Sequence, residues 1–301
     1  MLSFLPPWIK GSVAFIALCA NTVLLAPALV AVAIARALLP LPSWRRLCTR
    51  WASSIAELWI DINGLWIRLT RRIDWKVEGL DGLHHDQWYL VTSNHQSWAD
   101  IFILQYCLNR RVPLPKFFLK KQLIWVPVIG LCWWALDFPF MQRHSREYLE
   151  RHPEKRNQDL ESTRRACEKF QYTPVTIFNF LEGTRFTRDK HRQQQSPYRH
   201  LLKPKAGGVA AVLDAMGGSI HSLLDFTIAY QDGRAPSFWE FISGRTGRVT
   251  IHLDQREIPE QFLHGDYATD EAHRQEFQAW IRAIWEEKDA LLDALYQRPV
   301  D

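Results

Sequence analysis

Between Lys10 and Arg36 no side chain carries a formal charge, and this run of 25 residues (11–35) limits what the chain can fold into more than any other feature. As a helix it would be ~37 Å long, enough to cross a bilayer core of ~30 Å. It is too long for the core of a signal peptide, and no small-residue cleavage pattern clearly follows it. Asn21 and Pro27 lie inside it. The expectation over 11–37 is therefore a kinked spanning helix or a helix lying deep in one leaflet. A globular core helix is the competing reading, and the length and uniformity of the run weigh against it. Arg36, Arg45, Arg46 and Arg50 follow at once, against only Lys10 and the terminal amine on the other side. Positive residues stay on the cytoplasmic side, which puts the body of the protein in the cytoplasm.

The next segment, 45–70, is expected to be an amphipathic helix. Trp51, Ile55, Leu58, Trp59, Ile62, Leu65, Trp66 and Leu69 recur at helical spacing, with Glu57, Asp61 and Arg68 off the stripe. Such a stripe faces either a core or a membrane surface. The whole chain of 301 residues holds 14 Trp, a residue that gathers where one end of a side chain is dry and the other wet. Its net charge of +5 suits an anionic partner such as membrane phosphate, and no nucleic-acid-binding signature accompanies it. Five cysteines, with no Cys-x-x-Cys pair, argue against a disulfide framework or a zinc site and for a reducing compartment.

From about residue 72 onward the pattern changes to strands alternating with helices, which indicates an α/β domain over 72–301. Trp75–Leu80 alternates like a short strand, and Trp88–Ser93 reads as a buried one. A helix follows over Ile101–Leu108. The apolar run from Ile124 to Leu136 is too short to span a membrane and suits a pocket wall or a surface dipping into lipid. Phe138–Arg143 reads as a strand ending on an arginine, and His144–Phe170 as mainly helical. Thr173–Leu181 is a further buried strand, residues 186–204 a mobile polar loop, and Lys205–Met216 a helix entered through two glycines. Ser222–Tyr230 and Arg248–Leu253 are strands, and Asp270–Gln297 closes the chain as a helix.

Chemistry-bearing side chains sit where these strands end, which is where sites gather in open α/β sheets. The first group is Asn94-His95-Gln96-Ser97-Trp98-Ala99-Asp100. Residues five apart on one helix point ~140° apart. His95 and Asp100 meet only if the histidine lies on the turn and the aspartate in the first helical turn. There the carboxylate accepts from one ring nitrogen and leaves the other as a base, and a histidine's ordinary pKa of ~6.5 suits that work. Ser97-x-x-Asp100 also fits a capping box, and on these seven residues alone capping is the simpler reading. The second group is Arg143, and the third is Glu182 with Gly183 and Arg185. Two guanidiniums suit a bidentate phosphate contact, Lys120 adds a point charge, and Gly183 permits a sharp turn.

These blocks together resemble the glycerolipid acyltransferase family, which includes the 1-acylglycerol-3-phosphate acyltransferases. Asn94, His95 and Asp100 match its Asn-His-x-x-x-x-Asp block. Phe140 and Arg143 match the end of its second block, and Phe180, Leu181, Glu182, Gly183, Thr184 and Arg185 its Phe-Pro-Glu-Gly-Thr-Arg block. Lys120–Leu123 looks like its Lys-x-x-Leu. The likeness covers about 76–230. Asp137 stands where the family usually has glycine and Leu181 where proline is common. Leu224–Tyr230 looks more like the branch containing lysocardiolipin acyltransferases.

The resemblance implies a mixed sheet flanked by helices, behind an N-terminal membrane-associated helix pair (1–71). It implies transfer of a fatty acyl group from acyl-CoA or acyl carrier protein to a lysophospholipid hydroxyl, most simply lysophosphatidic acid, with lysophosphatidylglycerol or lysocardiolipin as alternatives. His95 and Asp100 would be catalytic, and Asn94, Lys120, Arg143, Glu182, Gly183, Thr184 and Arg185 would bind substrate. Neither metal nor cofactor is implied beyond the thioester co-substrate, and a bacterial inner membrane is the expected setting. Two readings from other classes are a metal-assisted phosphoester hydrolase, with His95 and Asp100 as ligands, and a non-catalytic membrane-binding protein.

Overall fold

A computed structural model describes residues 5–70, 73–141, 165, 167, 170, 173–216 and 218–297. The uncharged run forms helix α1 (Pro7–Leu38), with Pro27 inside it. Its small residues Gly11, Ala14, Ala26 and Ala33 are buried, Gly11 against the Trp239 ring and Ser243, and Ala26 and Ala33 in a cluster with Ala52, Cys132 and Ala135. Along its length α1 packs against α2 (Pro42–Thr70). Polar side chains tie the pair. The Asn21 amide donates to the Trp59 carbonyl and to Asn63 Oδ1, each at 3.0 Å, and the Trp59 indole donates to Thr22 Oγ1 at 3.0 Å. Trp8, Phe15, Ile16, Leu24 and Leu38 of α1 stay exposed.

The main sheet is mixed, with order β1-β8-β7-β2-β6-β3. Its strands are β1 (Trp75–Glu78), β2 (Tyr89–Ser93), β3 (Pro115–Phe117), β6 (Thr176–Phe180), β7 (Ser222–Tyr230) and β8 (Val249–Glu257). β2, β3, β6 and β7 run parallel; β8 is antiparallel to β7, and β1 parallel to β8. A small parallel ladder, β4 (Leu119–Lys120) with β5 (Phe140–Met141), stands apart. The central strand β2 is buried along its whole length, as expected for a strand covered on both faces.

Alternation along the strands divides the core. Leu90, Ile177 and Leu223 face a cluster completed by α6 (Gly207–Met216) and α8 (Glu271–Gln297). Val91, Phe178, Leu224 and Phe226 face the other, completed by α3 (Ala99–Leu108) and the short α7 (Phe238–Ile242). Two shorter helices among the described residues are α4 (Ile129–Ala135) and α5 (Arg188–Gln194).

The N-terminal pair packs onto this domain. α1 meets α4 and α7, and the Arg36 guanidinium pairs with Asp137, one of its nitrogens lying 3.2 Å from Oδ1. On α2, Asp61 accepts from Asn109 and Arg110 at 2.6 and 2.8 Å, and buried Glu57 pairs with His85 at 2.9 Å. Asp137 has φ +58°, which explains why glycine is natural there. Aspartate is among the residues that tolerate this conformation, and its carboxylate gains Arg36.

Several expectations need correction. Residues 186–204 are no featureless loop. Thr187 caps α5 by accepting from the Lys190 N–H, Gln195 ends it in the left-handed conformation, and Tyr198, Leu201 and Leu202 are buried. The basic and apolar stretch Val112–Leu123, to which the sequence reading assigns no element, holds the sheet strand β3, whose alternation is hidden because all three of its residues are buried. β8 runs four residues past Leu253, because β7 is there to pair with it. The 124–136 run divides into the end of a 3₁₀ turn and α4, with Trp125, Leu131 and Trp134 exposed. The expected helices of 144–170 lie outside the described residues, save positions 165, 167 and 170.

Candidate active site

β2 ends at Ser93, level with Phe180 of β6 and Phe226 of β7. β7 continues four residues further, to Tyr230. Asn94 bridges the resulting step. Its Nδ2 donates to the Ile228 carbonyl at 2.9 Å and its Oδ1 accepts from the Ile228 N–H at 2.8 Å. The amide thus imitates one more ladder pair, and Asn94 is wholly buried.

The chain then turns, and His95 Nδ1 lies 2.9 Å from Asp100 Oδ2. The same oxygen accepts from the backbone N–H groups of Gln96 and Ser97 at 2.7 and 2.8 Å. One carboxylate at the start of α3 therefore makes both the ring contact that the catalytic reading requires and the Asp100-to-Ser97 N–H half of a capping box. Its other oxygen accepts from the Tyr230 hydroxyl. With Asp100 as the acceptor, Nδ1 carries the proton and Nε2 is left as the basic nitrogen. Among the described residues no hydrogen bond engages Nε2. Phe180 stacks on the imidazole, with centroids 3.9 Å apart and 17° between the planes, and fixes the ring from its flat side. The Ser97 hydroxyl is occupied by the Pro236 carbonyl, and burial pushes the Cys107 thiol up to about 12. Neither is a poised nucleophile.

Glu182, at the end of β6, has no exposed surface. Its two oxygens accept from the His95 N–H at 2.8 Å and the Leu202 N–H at 3.1 Å. Burial pushes its pKa up to about 8, against the pull of those two donors. Glu182 therefore clamps the backbone of the His95 turn to the segment after α5. The Phe186 N–H adds a second tie, donating to the His95 carbonyl at 2.7 Å.

Gly183 turns the chain at φ +67°, and a Cβ there would press on the Lys205 side chain at 3.3 Å. Thr184 and Arg185 follow. Lys190 Nζ donates to Thr184 Oγ1 at 2.7 Å and to the Arg185 carbonyl at 3.0 Å. The exposed Arg185 guanidinium rests 4.9 Å above the Trp98 ring, an arrangement that restrains an arginine without neutralising it.

The structure thus brings together Asn94, His95, Asp100, Glu182, Gly183, Thr184 and Arg185. Lys120 is exposed on the separate β4–β5 ladder, level with Met141. Arg143 lies outside the described residues. Sequence reasoning missed Trp98 and Lys190 as neighbours of Arg185, and Tyr230 as a partner of Asp100. It also missed a buried pair behind the site. Lys288 of α8, with no exposed side chain, lies 3.0 Å from Asp225, which accepts from Thr92 at 2.6 Å. A signal for Lys288 was present: it stands in the apolar stripe Phe277, Ile281, Ile284, Trp285, Lys288, Leu292. A lone cation in such a stripe asks for a buried partner.

A family model described as Acyltransferase matches residues 74–231. The 1-acyl-sn-glycerol-3-phosphate acyltransferase delta of Homo sapiens is 25% identical over 221 residues, covering 69% of this chain and 53% of that protein. The gamma protein of Mus musculus is 25% identical over 193 residues, covering 62% and 46%. The 1-acyl-sn-glycerol-3-phosphate acyltransferase 3 of Arabidopsis thaliana is 24% identical over 283 residues, covering 86% and 68%. The chain spans about half the length of the animal relatives it matches. Among solved structures, the 1-acyl-sn-glycerophosphate acyltransferase PlsC of Thermotoga maritima superposes with a TM-score of 0.54 at 17% identity, covering 97% of this chain and all of that one. That likeness is one of fold.

Proposed function

The chain belongs to the acyltransferase family, and from that premise we propose that it moves a fatty acyl group from an acyl thioester to the free hydroxyl of a lysophospholipid. Lysophosphatidic acid is the acceptor and phosphatidic acid the product. The observation that carries this reading is the His95–Asp100 pair at 2.9 Å, set after the central strand and clamped to the Glu182–Arg185 turn.

His95 Nε2 removes the acceptor's hydroxyl proton as that oxygen attacks the thioester carbonyl. The tetrahedral intermediate collapses, the C–S bond breaks, and the imidazolium returns its proton to the departing thiolate. Asp100 stabilises the imidazolium meanwhile. Positioned base catalysis contributes ~10²–10⁴-fold, and holding two substrates together supplies much of the remainder. No covalent acyl-enzyme is needed. Asn94 and Glu182 act by positioning the turn, and Arg185 with Thr184 receives the glycerol phosphate. Lys120 and Arg143 are assigned to the acceptor phosphate by the family resemblance alone. The donor is acyl-CoA or acyl carrier protein. A metal-ligand role for Asp100 is disfavoured, because both its oxygens already accept hydrogen bonds from protein donors.

The acceptor comes from a membrane. α1 is long and apolar enough to cross one. The exposed Trp125, Leu131 and Trp134 lie on the 3₁₀ turn and α4, and α4 packs against α1. Aromatic residues of this kind favour the headgroup level. We place the catalytic domain on the cytoplasmic side of a bacterial inner membrane.

The test is product analysis. Purified protein in vesicles receives lysophosphatidic acid, lysophosphatidylglycerol or lysocardiolipin, each with acyl-CoA and with acyl carrier protein thioester. The reading expects phosphatidic acid as the main product. Thioester left intact, or hydrolysed with no acylated lipid formed, overturns it.

A further inference from the structure

We propose that Tyr230 is a positioning residue of this reaction: its phenol, donating to the Asp100 oxygen that faces away from His95, holds the carboxylate aimed and ionised while the imidazole takes the proton. The proposal rests on His95 being the base.

The placement follows from strand lengths. Phe226 of β7 is level with Ser93, the last residue of β2. The four extra residues of β7 carry Tyr230 beyond the end of β2, alongside the catalytic turn. Tyr230 is 2% exposed and Asp100 wholly buried. A buried phenol needs a hydrogen-bond partner, and a buried carboxylate needs its lone pairs engaged. Asp100 divides its two oxygens. Oδ2 serves the His95 ring and the N–H groups of Gln96 and Ser97; Oδ1 serves Tyr230. Among the described residues no other donor reaches Oδ1. A residue needed only to fill space there would not require the hydroxyl.

Burial, together with the charge of Asp100, holds the phenol's pKa well above 10. It stays a donor throughout the working range. The ionisable groups facing this carboxylate are His95 from the turn, Tyr230 from β7, Glu182 from the end of β6, and Tyr296 from α8. Lys288, also on α8, acts on Glu182. None of the others donates to Oδ1. When His95 gains its proton, a phenol on Oδ1 draws charge from the carboxylate, so the proton stays on the ring for the thiolate. Without the phenol, Oδ1 is an unpaired buried anion oxygen. Asp100 becomes more basic, pulls harder on the imidazolium, and is freer to turn.

The experiment compares the full-length protein in vesicles with Tyr230→Phe, with 3-fluorotyrosine at position 230, and with His95→Ala. Tyr230→Phe should lower kcat about 10-fold, leave both KM values within about twofold, and move the acid limb of kcat/KM to higher pH. The fluorinated phenol is a stronger donor of nearly the same shape and should move that limb to lower pH. A Tyr230→Phe protein with unchanged kcat and pH profile overturns the proposal. So does a loss of activity matched by lower thermal stability while the acid limb stays put. If Tyr230→Phe does not fold, the direction of the fluorotyrosine limb decides, and no movement contradicts the proposal. Transfer surviving in His95→Ala would overturn the base assignment itself. A silent Tyr230→Phe beside a dead His95→Ala rejects only the role of Tyr230.

Discussion

At the catalytic turn the polar side chains are spent inside the protein. Asn94 completes the β7 ladder, Asp100 accepts from three backbone or ring N–H groups and a phenol, and Glu182 clamps two backbone N–H groups. At the loop that follows β6 the reverse holds. Arg185 is exposed, resting on half-exposed Trp98, while Lys190 spans the loop from its outer side. The first region fixes one nitrogen in place and offers few adjustable contacts. The second offers positive charge on long side chains that can follow a headgroup. On the proposed reading the buried region sets the chemistry and the exposed one the choice of acceptor.

Asp100→Asn should sharpen this contrast most. An amide has one acceptor oxygen where the carboxylate uses two, and it adds two donors of its own. It cannot serve His95, Gln96, Ser97 and Tyr230 together. Turnover should fall ~10²–10⁴-fold with acceptor KM little changed, as read from steady-state kinetics. A variant that raises KM and keeps kcat would break the division between the two regions. Arg185→Ala should do the opposite. Losing charge-assisted phosphate contacts costs ~1.5–3 kcal/mol, so acceptor KM should rise ~10–100-fold while thioester KM and kcat hold. An effect confined to the thioester would assign Arg185 to the donor instead.

The smallest effect concerns Glu182 and appears in stability. Its pKa in the folded protein is about 8 against an ordinary 4.5. Between these values the folded chain holds a proton that the unfolded chain has released. Its contribution to stability is fully present below about 4.5 and is lost as pH rises toward about 8. Melting curves from pH 5 to 8 should show Tm falling more steeply in the native protein than in Glu182→Gln. Parallel curves would mean that Glu182 stays ionised.

Much of this architecture was legible from periodicity. β2 and β7 are mainly apolar runs, β7 interrupted by Asp225 and Thr227, and α1 is a long uncharged one, so composition and length identified them. β3 escaped because a three-residue edge strand carries no period. α5 escaped because its evidence lies in Thr187 as a cap and in three buried residues after it, not in an apolar stripe. At the site, spacing permitted the His95–Asp100 pairing and the resemblance singled it out. The use of Asn94 and Glu182 did not. Both were read as contacts for substrate, yet their partners are backbone groups 134 and 87 residues away, which local sequence cannot reveal. Tyr230 looked like the last residue of a strand, and only the unequal lengths of β2 and β7 bring it to Asp100.

The most direct test of the account is acyl transfer to lysophosphatidic acid by His95→Gln in vesicles, with labelled thioester. Glutamine keeps a polar side chain of similar reach but cannot act as a base near neutrality. The account predicts product formation reduced ~10²–10⁴-fold, with circular dichroism and vesicle association unchanged. Phosphatidic acid formed at close to the native rate by that variant would contradict it.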